Sequence, residues 1–426
     1  MHHKAFSLKS EFAKNTFKLT IGTSVAQAIP MIFYPVLGRI FTPGDFGLLA
    51  TIASITAIIS VYSTGMYDRS ILITDTKKEA ANVIGLVLLM SFFILLISYF
   101  ILQFIIVQYT TWLKDPQLKE WLFICPISAF MVIIYNCYNE WSVRNKYFTN
   151  LSWNKIINAG STTLGKLFFG IIKITSNGLI VGDVIGRTIS AIGCIVRALQ
   201  KDKEVFFQIS FKRMKYLSKR YIEFPLYSLP GQLINTIVGQ LPIIMIASIF
   251  NNIEVGYFAM TMNVLSVPIS VISIAIRDTF RQKANEDYKK HGNCRYLFNK
   301  TFKILSTFAI LGSTILIFIL PELFSVLLGN QWRLAGEYSQ ILLPMIAIAF
   351  VTNSLNGVLI IVEKMKIDLF FQIYYLIITI LSFWLGYWIF HNMKMTLLFY
   401  AFGRSSAYLL QLYLSYKYSL PKGNSL

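Results

Sequence analysis

Five cations stand inside apolar runs of this 426-residue chain: Lys18, Lys166, Arg187, Lys303 and Arg404. A Lys or Arg at mid-bilayer costs about 2.5–3.5 kcal/mol on insertion scales, so each needs a physical reason. Lys18 and Lys303 lie within about a turn of a run's end and can snorkel to the interface. Lys166, Arg187 and Arg404 lie near mid-run. Arg187 follows Asp183 by one turn, an i,i+4 pair on one helix face. Lys166 and Arg404 have no acid within a turn on their own helices, which points to a wet cavity or an anionic ligand. Guanidinium and ammonium groups suit phosphate oxygens, so the chemistry suggested is binding of a phosphorylated headgroup rather than bond cleavage.

Polar stripes at helical spacing accompany these cations. The first run carries Thr16, Thr20, Thr23, Ser24 and Gln27. The fifth carries Asn154, Asn158, Ser161 and Thr162, and the seventh Ser228, Gln232, Asn235 and Thr236. Such stripes line a hydrated cleft or form packing seams between helices, and the nearby cations favour the cleft. Thr20, Gln27, Asn158, Thr162, Gln232 and Asn235 are therefore the expected lining, with Arg39 near the outer mouth. Pro30, Pro35, Pro225, Pro230, Gly231 and Pro242 fall in the first and seventh runs, where a transporter helix would bend. Asp68, Asp183 and Glu223 are candidate carboxylates for ion coupling.

The elements that must position these residues are membrane helices. Hydrophobic residues make up 55% of the chain and charged residues 14%. Soluble domains carry about a quarter charged residues. Apolar runs of bilayer-spanning length recur from Asn15–Phe41 to Thr396–Tyr416, twelve in all. The expected fold is all-α and polytopic. Lys and Arg number 28 on the N-terminal side of the runs against 6 opposite (Arg39, Lys114, Lys119, Lys173, Arg333 and Lys394), which places both termini in the cytoplasm. Topology thereby accounts for most of the +19 charge without a nucleic-acid partner. The first run continues unbroken past Ala26-Gln27-Ala28, which suits an uncleaved span better than a cleaved leader.

The turn at Pro35–Ala50 recurs 209 residues later at Ser248–Ala259, where Ile40, Phe41, Asp45, Gly47 and Ala50 meet Ile249, Phe250, Glu254, Gly256 and Ala259. This offset predicts two similar halves: a six-helix bundle over 1–199, a basic cytoplasmic connector over 200–221 and a second six-helix bundle over 222–426. Because the offset contains six runs, the halves share orientation and form a parallel pseudo-twofold repeat. Nothing suggests an enzyme or a cofactor. Cys125, Cys137, Cys194 and Cys294 show no CxxC pairing, and the four histidines have no metal spacing. The GxSxG, GxGxxG and GxxxxGK motifs are missing.

Four blocks resemble the bacterial polysaccharide biosynthesis proteins, the oligosaccharide flippases: Gly65–Leu86, Lys219–Asn235, Glu254–Ile272 with its continuation, and Pro321–Pro344. Tyr67, Asp68, Glu79, Ala80 and Asn82 stand at matching places in the first. Arg220, Tyr221, Phe224 and Pro225 do so in the second, and Trp332, Ala335, Gly336 and Tyr338 in the last. Met66 occupies a place where the family usually has a basic residue, with Arg69 basic on the other side of Asp68. The resemblance implies a transporter of the multidrug/oligosaccharidyl-lipid/polysaccharide exporter superfamily in the bacterial inner membrane. Its passenger would be an oligosaccharide unit on undecaprenyl diphosphate, its other partners membrane lipids, a polysaccharide polymerase and chain-length machinery. Lys166, Arg187, Arg404 and Arg39 would then attract the diphosphate. A drug or small-molecule antiporter of the same superfamily is the alternative, though it calls for a deep carboxylate where these runs offer cations.

Overall fold

The structure is a computed structural model that describes residues 2–108, 116–172, 175–362 and 364–420. Lys114 and Lys173, counted above with the opposite loops, lie outside them. Among the described residues there is no strand, and twelve helices exceed twenty residues. They are α1 (His2–Ile40), α2 (Pro43–Thr64), α3 (Lys77–Gln108), α4 (Ile124–Arg144), α5 (Phe148–Ile171) and α6 (Thr175–Phe206). Then follow α7 (Leu229–Ile249), α8 (Asn252–His291), α9 (Arg295–Leu328), α10 (Arg333–Leu355), α11 (Met365–Phe390) and α12 (Met393–Tyr418). These match the twelve expected runs one for one. Nine of them are long and apolar enough to cross a membrane. The other three are α4, α5 and α12, and α5 and α12 carry Lys166 and Arg404.

Large apolar side chains face outward as they must in lipid. Phe100 and Phe104 on α3 are 62% and 63% exposed, and Phe308 and Phe318 on α9 are 69% and 77% exposed. In water such surface would be an association site; in a bilayer it is the solvated face. The interior of the N-terminal part is instead built on Trp141, Ile133, Val83, Val87 and Leu217.

The chain forms two compact units, Met1–Gly256 and Tyr257–Leu426. Within the first, the two related turns meet each other. α1 stops at Ile40 and α7 at Ile249, equivalent places in the two copies of the turn. Each following helix begins with equivalent capping. The Thr42 hydroxyl and Asp45 carboxylate of α2 form a reciprocal box. In it the Thr42 amide donates to Asp45 Oδ2 at 2.8 Å. At the start of α8 the Glu254 amide donates to Asn251 Oδ1 at 3.0 Å. A side chain at Gly47 would strike the Asn252 carbonyl, and one at Gly256 would strike the Pro43 carbonyl. Under the repeat Pro43 corresponds to Asn252 and Gly47 to Gly256, so the contact maps onto itself. A local twofold relates the two turns, and only glycine permits so close an approach.

Prolines act differently in the first and seventh runs. α1 continues as helix through Pro30 and Pro35. Ahead of α7 the chain takes a π-helical turn over Phe224–Ser228, which contains Pro225. α6 reaches Phe206 only across a kink at Asp202, whose backbone is not helical. Buried Asp202 anchors that kink, accepting from Trp141 Nε1 at 3.0 Å and lying 3.4 Å from the Lys77 ammonium. Arg197, ahead of the kink in α6, donates to Asn154 Oδ1. The Asn154 amide in turn donates to Asn139 Oδ1 at 3.0 Å.

α5 and α6 pack backbone to backbone. Gly165 lies against the backbone of Gly182, and Gly186 against the backbone of Ser161 and Thr162. This is a small-residue seam of the kind that drives helix association in lipid. Gly160, about a turn earlier on α5, faces open space. Replacing a helix-interior Gly by Ala ordinarily stabilises by about 0.5–1 kcal/mol, whereas overpacking a tight contact costs about 1–3 kcal/mol. Gly160→Ala should therefore hold or raise the thermal midpoint of the purified protein while Gly182→Ala lowers it; equal effects would contradict the seam.

Candidate cationic headgroup sites

The seam places the first site. Gly165 precedes Lys166, Gly182 precedes Asp183, and Gly186 precedes Arg187. Successive helix residues are turned by about 100°, so each charge sits at the edge of the groove that its glycine opens. Lys166 Nζ lies 2.8 Å from Asp183 Oδ1, and Arg187 Nε donates to Asp183 Oδ2 at 2.5 Å. Lys166 therefore has a partner, on the neighbouring helix where spacing along its own could not reveal it. Asp183 is only 7% exposed. One carboxylate between two cations leaves the cluster with a net positive charge. Arg187 Nη1 and Nη2 make no hydrogen bond or ion pair with a described residue, so planar donors remain for an incoming anion.

In the second unit α11 and α12 meet at another glycine, Gly403, which faces the Ser382 side chain and the Ile378 carbonyl. The following residue is Arg404. Its guanidinium stacks over the Tyr375 ring at 4.0 Å, with the rings of Tyr408 and Tyr400 at 5.5 and 5.8 Å. Nη2 donates to the Tyr408 hydroxyl at 3.1 Å and Nη1 to the Thr379 hydroxyl at 3.4 Å. The Tyr375 hydroxyl donates to that of Tyr408 at 2.7 Å. No carboxylate pairs with Arg404 among the described residues, and its Nε is buried without a partner. Ring quadrupoles and hydroxyl dipoles replace a counter-ion, which attenuates the charge without cancelling it. Tyr400 and Tyr408 lie one turn before and after Arg404, a spacing visible in the sequence. Tyr375 and Thr379 come from another helix and are not visible in that way.

The expected lining residues divide. Thr20 and Asn235 are exposed and Gln232 is half-buried. Gln27 is half-buried with an unpartnered Oε1. Thr162 belongs to the helix seam: its hydroxyl donates to the carbonyl of half-buried Asn158 at 2.8 Å, and its backbone abuts Gly186. Arg39 is exposed at the end of α1 and Glu223 is exposed before the π-helical turn.

The motif residues gather elsewhere, at the loop end of the first unit. Tyr67 begins a 3₁₀ turn, Tyr67–Ile73, and its hydroxyl donates to the Ser218 carbonyl at 2.9 Å. Arg220, closing the short helix Phe211–Arg220, lies 2.8 Å from Asp75 and 3.6 Å from Glu79. Arg69 reaches Glu140 at 3.4 Å. The Tyr67 and Arg220 contacts pin the connector helix to the loop between α2 and α3. Asp68 beside them is different. Burial pushes its carboxyl above the usual range, only partly offset by the Arg69 guanidinium, and Oδ1 has no partner.

The chain matches the polysaccharide biosynthesis protein family profile over residues 36–336, well over half its length. It belongs to that family. No curated protein sequence matches it. Among solved structures it resembles the lipid II flippase MurJ in an inward closed conformation, with 13% identity and a TM-score of 0.73 over 93% of this chain and 87% of that one. It also resembles an inward-facing multidrug resistance MATE family transporter of the MOP superfamily, at 13% identity and a TM-score of 0.64 over 92% and 97%. A third likeness is to a variant of the Vibrio cholerae MATE transporter VcmN, at 12% identity and a TM-score of 0.51 over 96% of each chain. At such identity these likenesses show the fold, that of the superfamily to which flippases and MATE transporters belong.

Two variants probe these environments. Asp183→Asn strands Lys166 and Arg187 together. It should cost about 3 kcal/mol, the lower end for breaking a buried pair, since both cations keep some water. Adding Lys166→Gln should recover part of the lost thermal stability; no recovery would remove the ion triad as its source. For Asp68 a raised folded pKa means that the folded state binds the extra proton. Its contribution is present at low pH and is lost as pH rises through the folded value. Asp68→Asn should therefore raise thermal stability at about pH 8 more than at about pH 5; the reverse ordering would contradict the assignment.

Proposed function

We propose that this protein is a flippase that moves undecaprenyl-diphosphate-linked oligosaccharide units across the bacterial inner membrane by alternating access, for O-antigen, capsular or exopolysaccharide synthesis. The supporting observation is that each unit holds a cationic site within membrane helices whose positive charge is not cancelled. Lys166 and Arg187 share the single acid Asp183, and Arg404 sits among tyrosines with none. A diphosphate offers the oxygens that the unused donors lack, and bidentate guanidinium binding suits phosphate. Membership of the polysaccharide biosynthesis family and the MurJ-like fold favour a lipid-linked passenger over a free ion.

In this reading Lys166 and Arg187 in the first unit, and Arg404 in the second, bind phosphate, Arg39 at the end of α1 adds charge near the outer mouth, and the polyprenyl tail stays in lipid. The polymerase and chain-length machinery act on the delivered unit. Of the three carboxylates considered for ion coupling, Asp183 is already engaged by two cations and Glu223 is exposed, whereas Asp68 is half-buried with a buried, unpartnered Oδ1. A drug antiporter, which would need a free carboxylate deep in the membrane, is less well supported, because Asp183 is engaged by two cations and Asp68 lies in the turn after α2.

The test is the double variant Lys166→Ala/Arg404→Ala in cells that depend on this protein for surface polymer. Surface polysaccharide should fall at least about tenfold, as removal of one strong charge-assisted contact implies, while the amount of protein in the membrane stays unchanged. Undiminished polymer at equal abundance would rule out the cationic sites.

A further inference from the structure

The second unit carries a groove that neither cationic site uses. Its wider part, about 490 Å³, lies between the beginning of α9 and the end of α12, with Phe302 and Leu412 as floor. A narrower part of about 190 Å³ continues from it between α9, α10 and α12 and shares Phe302, Leu409 and Leu412 with the first. The far end reaches Ile310, Ala347 and Val351. Phe298 and Ile310 mark the two ends along α9. Between them the helix rises about 18 Å at about 1.5 Å per residue. Half of a hydrocarbon core is about 15 Å, so the groove spans the depth of one leaflet.

The walls change character along that length. Beyond Phe302 every lining side chain but Ser306 is apolar. At the mouth Asn299 and Lys303 stand one turn apart on one face of α9, and both line the wider part. The Lys303 ammonium has no ion pair and the Asn299 amide no partner among the described residues. A turn nearer the start of α9, Arg295 stacks on the ring of Tyr416, 3.2 Å from its centroid, and donates to the Tyr416 carbonyl at 2.9 Å. Lys300 and Lys417 are exposed nearby in sequence, and no carboxylate lines either part. Positive charge is thus confined to the end where a lipid headgroup would sit, above an apolar channel one leaflet deep.

The geometry points to a binding site for an anionic phospholipid of the bilayer, one acyl chain lying in the groove of α9, α10 and α12 and the headgroup phosphate held by Lys303 and Asn299. Charge complementarity at the mouth selects an anionic headgroup over a zwitterionic one, and the groove's length selects one ordinary acyl chain over a much longer polyprenyl tail. The assignment requires only that the chain spans a bilayer, and stands apart from the choice of passenger.

The full chain, purified and analysed by native mass spectrometry with added phosphatidylglycerol or phosphatidylcholine, provides the test. Wild type should retain phosphatidylglycerol about fivefold more than phosphatidylcholine, the effect of one surface lysine. Lys303→Ala should bring the two lipids to parity, whereas Lys290→Ala, an exposed lysine of the same unit outside the groove, should leave the preference intact. Ala309→Trp, which fills the narrow part, should lower retention of both lipids. Equal retention of the two lipids by wild type, equal loss in the two lysine variants, or displacement of phosphatidylglycerol by equimolar undecaprenyl phosphate in a manner sensitive to Lys303→Ala would each overturn the site.

Discussion

The charge cluster of the first unit depends on two helices touching backbone to backbone. Where Gly165 meets Gly182 and Gly186 meets Thr162, no side chain separates α5 from α6, and the neighbouring residues are brought within bonding distance. Lys166, Asp183 and Arg187 join because they follow those glycines in the chain. In the second unit Gly403 packs instead against the Ser382 side chain and sets Arg404 beside α11. In lipid, which offers no hydrophobic drive between helices, close van der Waals contact and interhelical hydrogen bonds supply the association. The glycine that tightens the pair also fixes the charge.

The two units attenuate buried charge by different physics. In the first, one carboxylate serves two cations, and the low surrounding dielectric makes that attraction strong while desolvation opposes it. The surplus positive charge persists because no second acid joins the cluster among the described residues. In the second, three tyrosine rings and two hydroxyls surround Arg404. An arginine held this way keeps its full charge and its planar fork, and is less costly to expose to a passing anion than one that must first leave a carboxylate.

The long helices are legible in the sequence because an apolar run of bilayer length permits little else in lipid. The recurrence of the turn is legible too, and the reciprocal contact of Gly47 with Asn252 and of Gly256 with Pro43 gives it a spatial meaning. Partners contributed by other helices are not. Along α5 nothing announces that Lys166 meets Asp183, and along α12 nothing announces Tyr375. One-dimensional spacing registers only i,i+3 and i,i+4 neighbours. Thr162 has the spacing of a cleft-lining hydroxyl, but the glycine opposite turns that face into a seam. The kink in α6 is not legible either, because buried Asp202 is anchored there by Trp141 from a distant helix.

The proposed selection of a phosphorylated headgroup by these cations is tested most directly as transbilayer movement of fluorescent undecaprenyl-linked sugars in proteoliposomes containing only this protein. Protein-dependent movement of the diphosphate-linked sugar is predicted, with none for a sugar joined to the same polyprenol through an uncharged ether. Equal movement of the two lipids would contradict it.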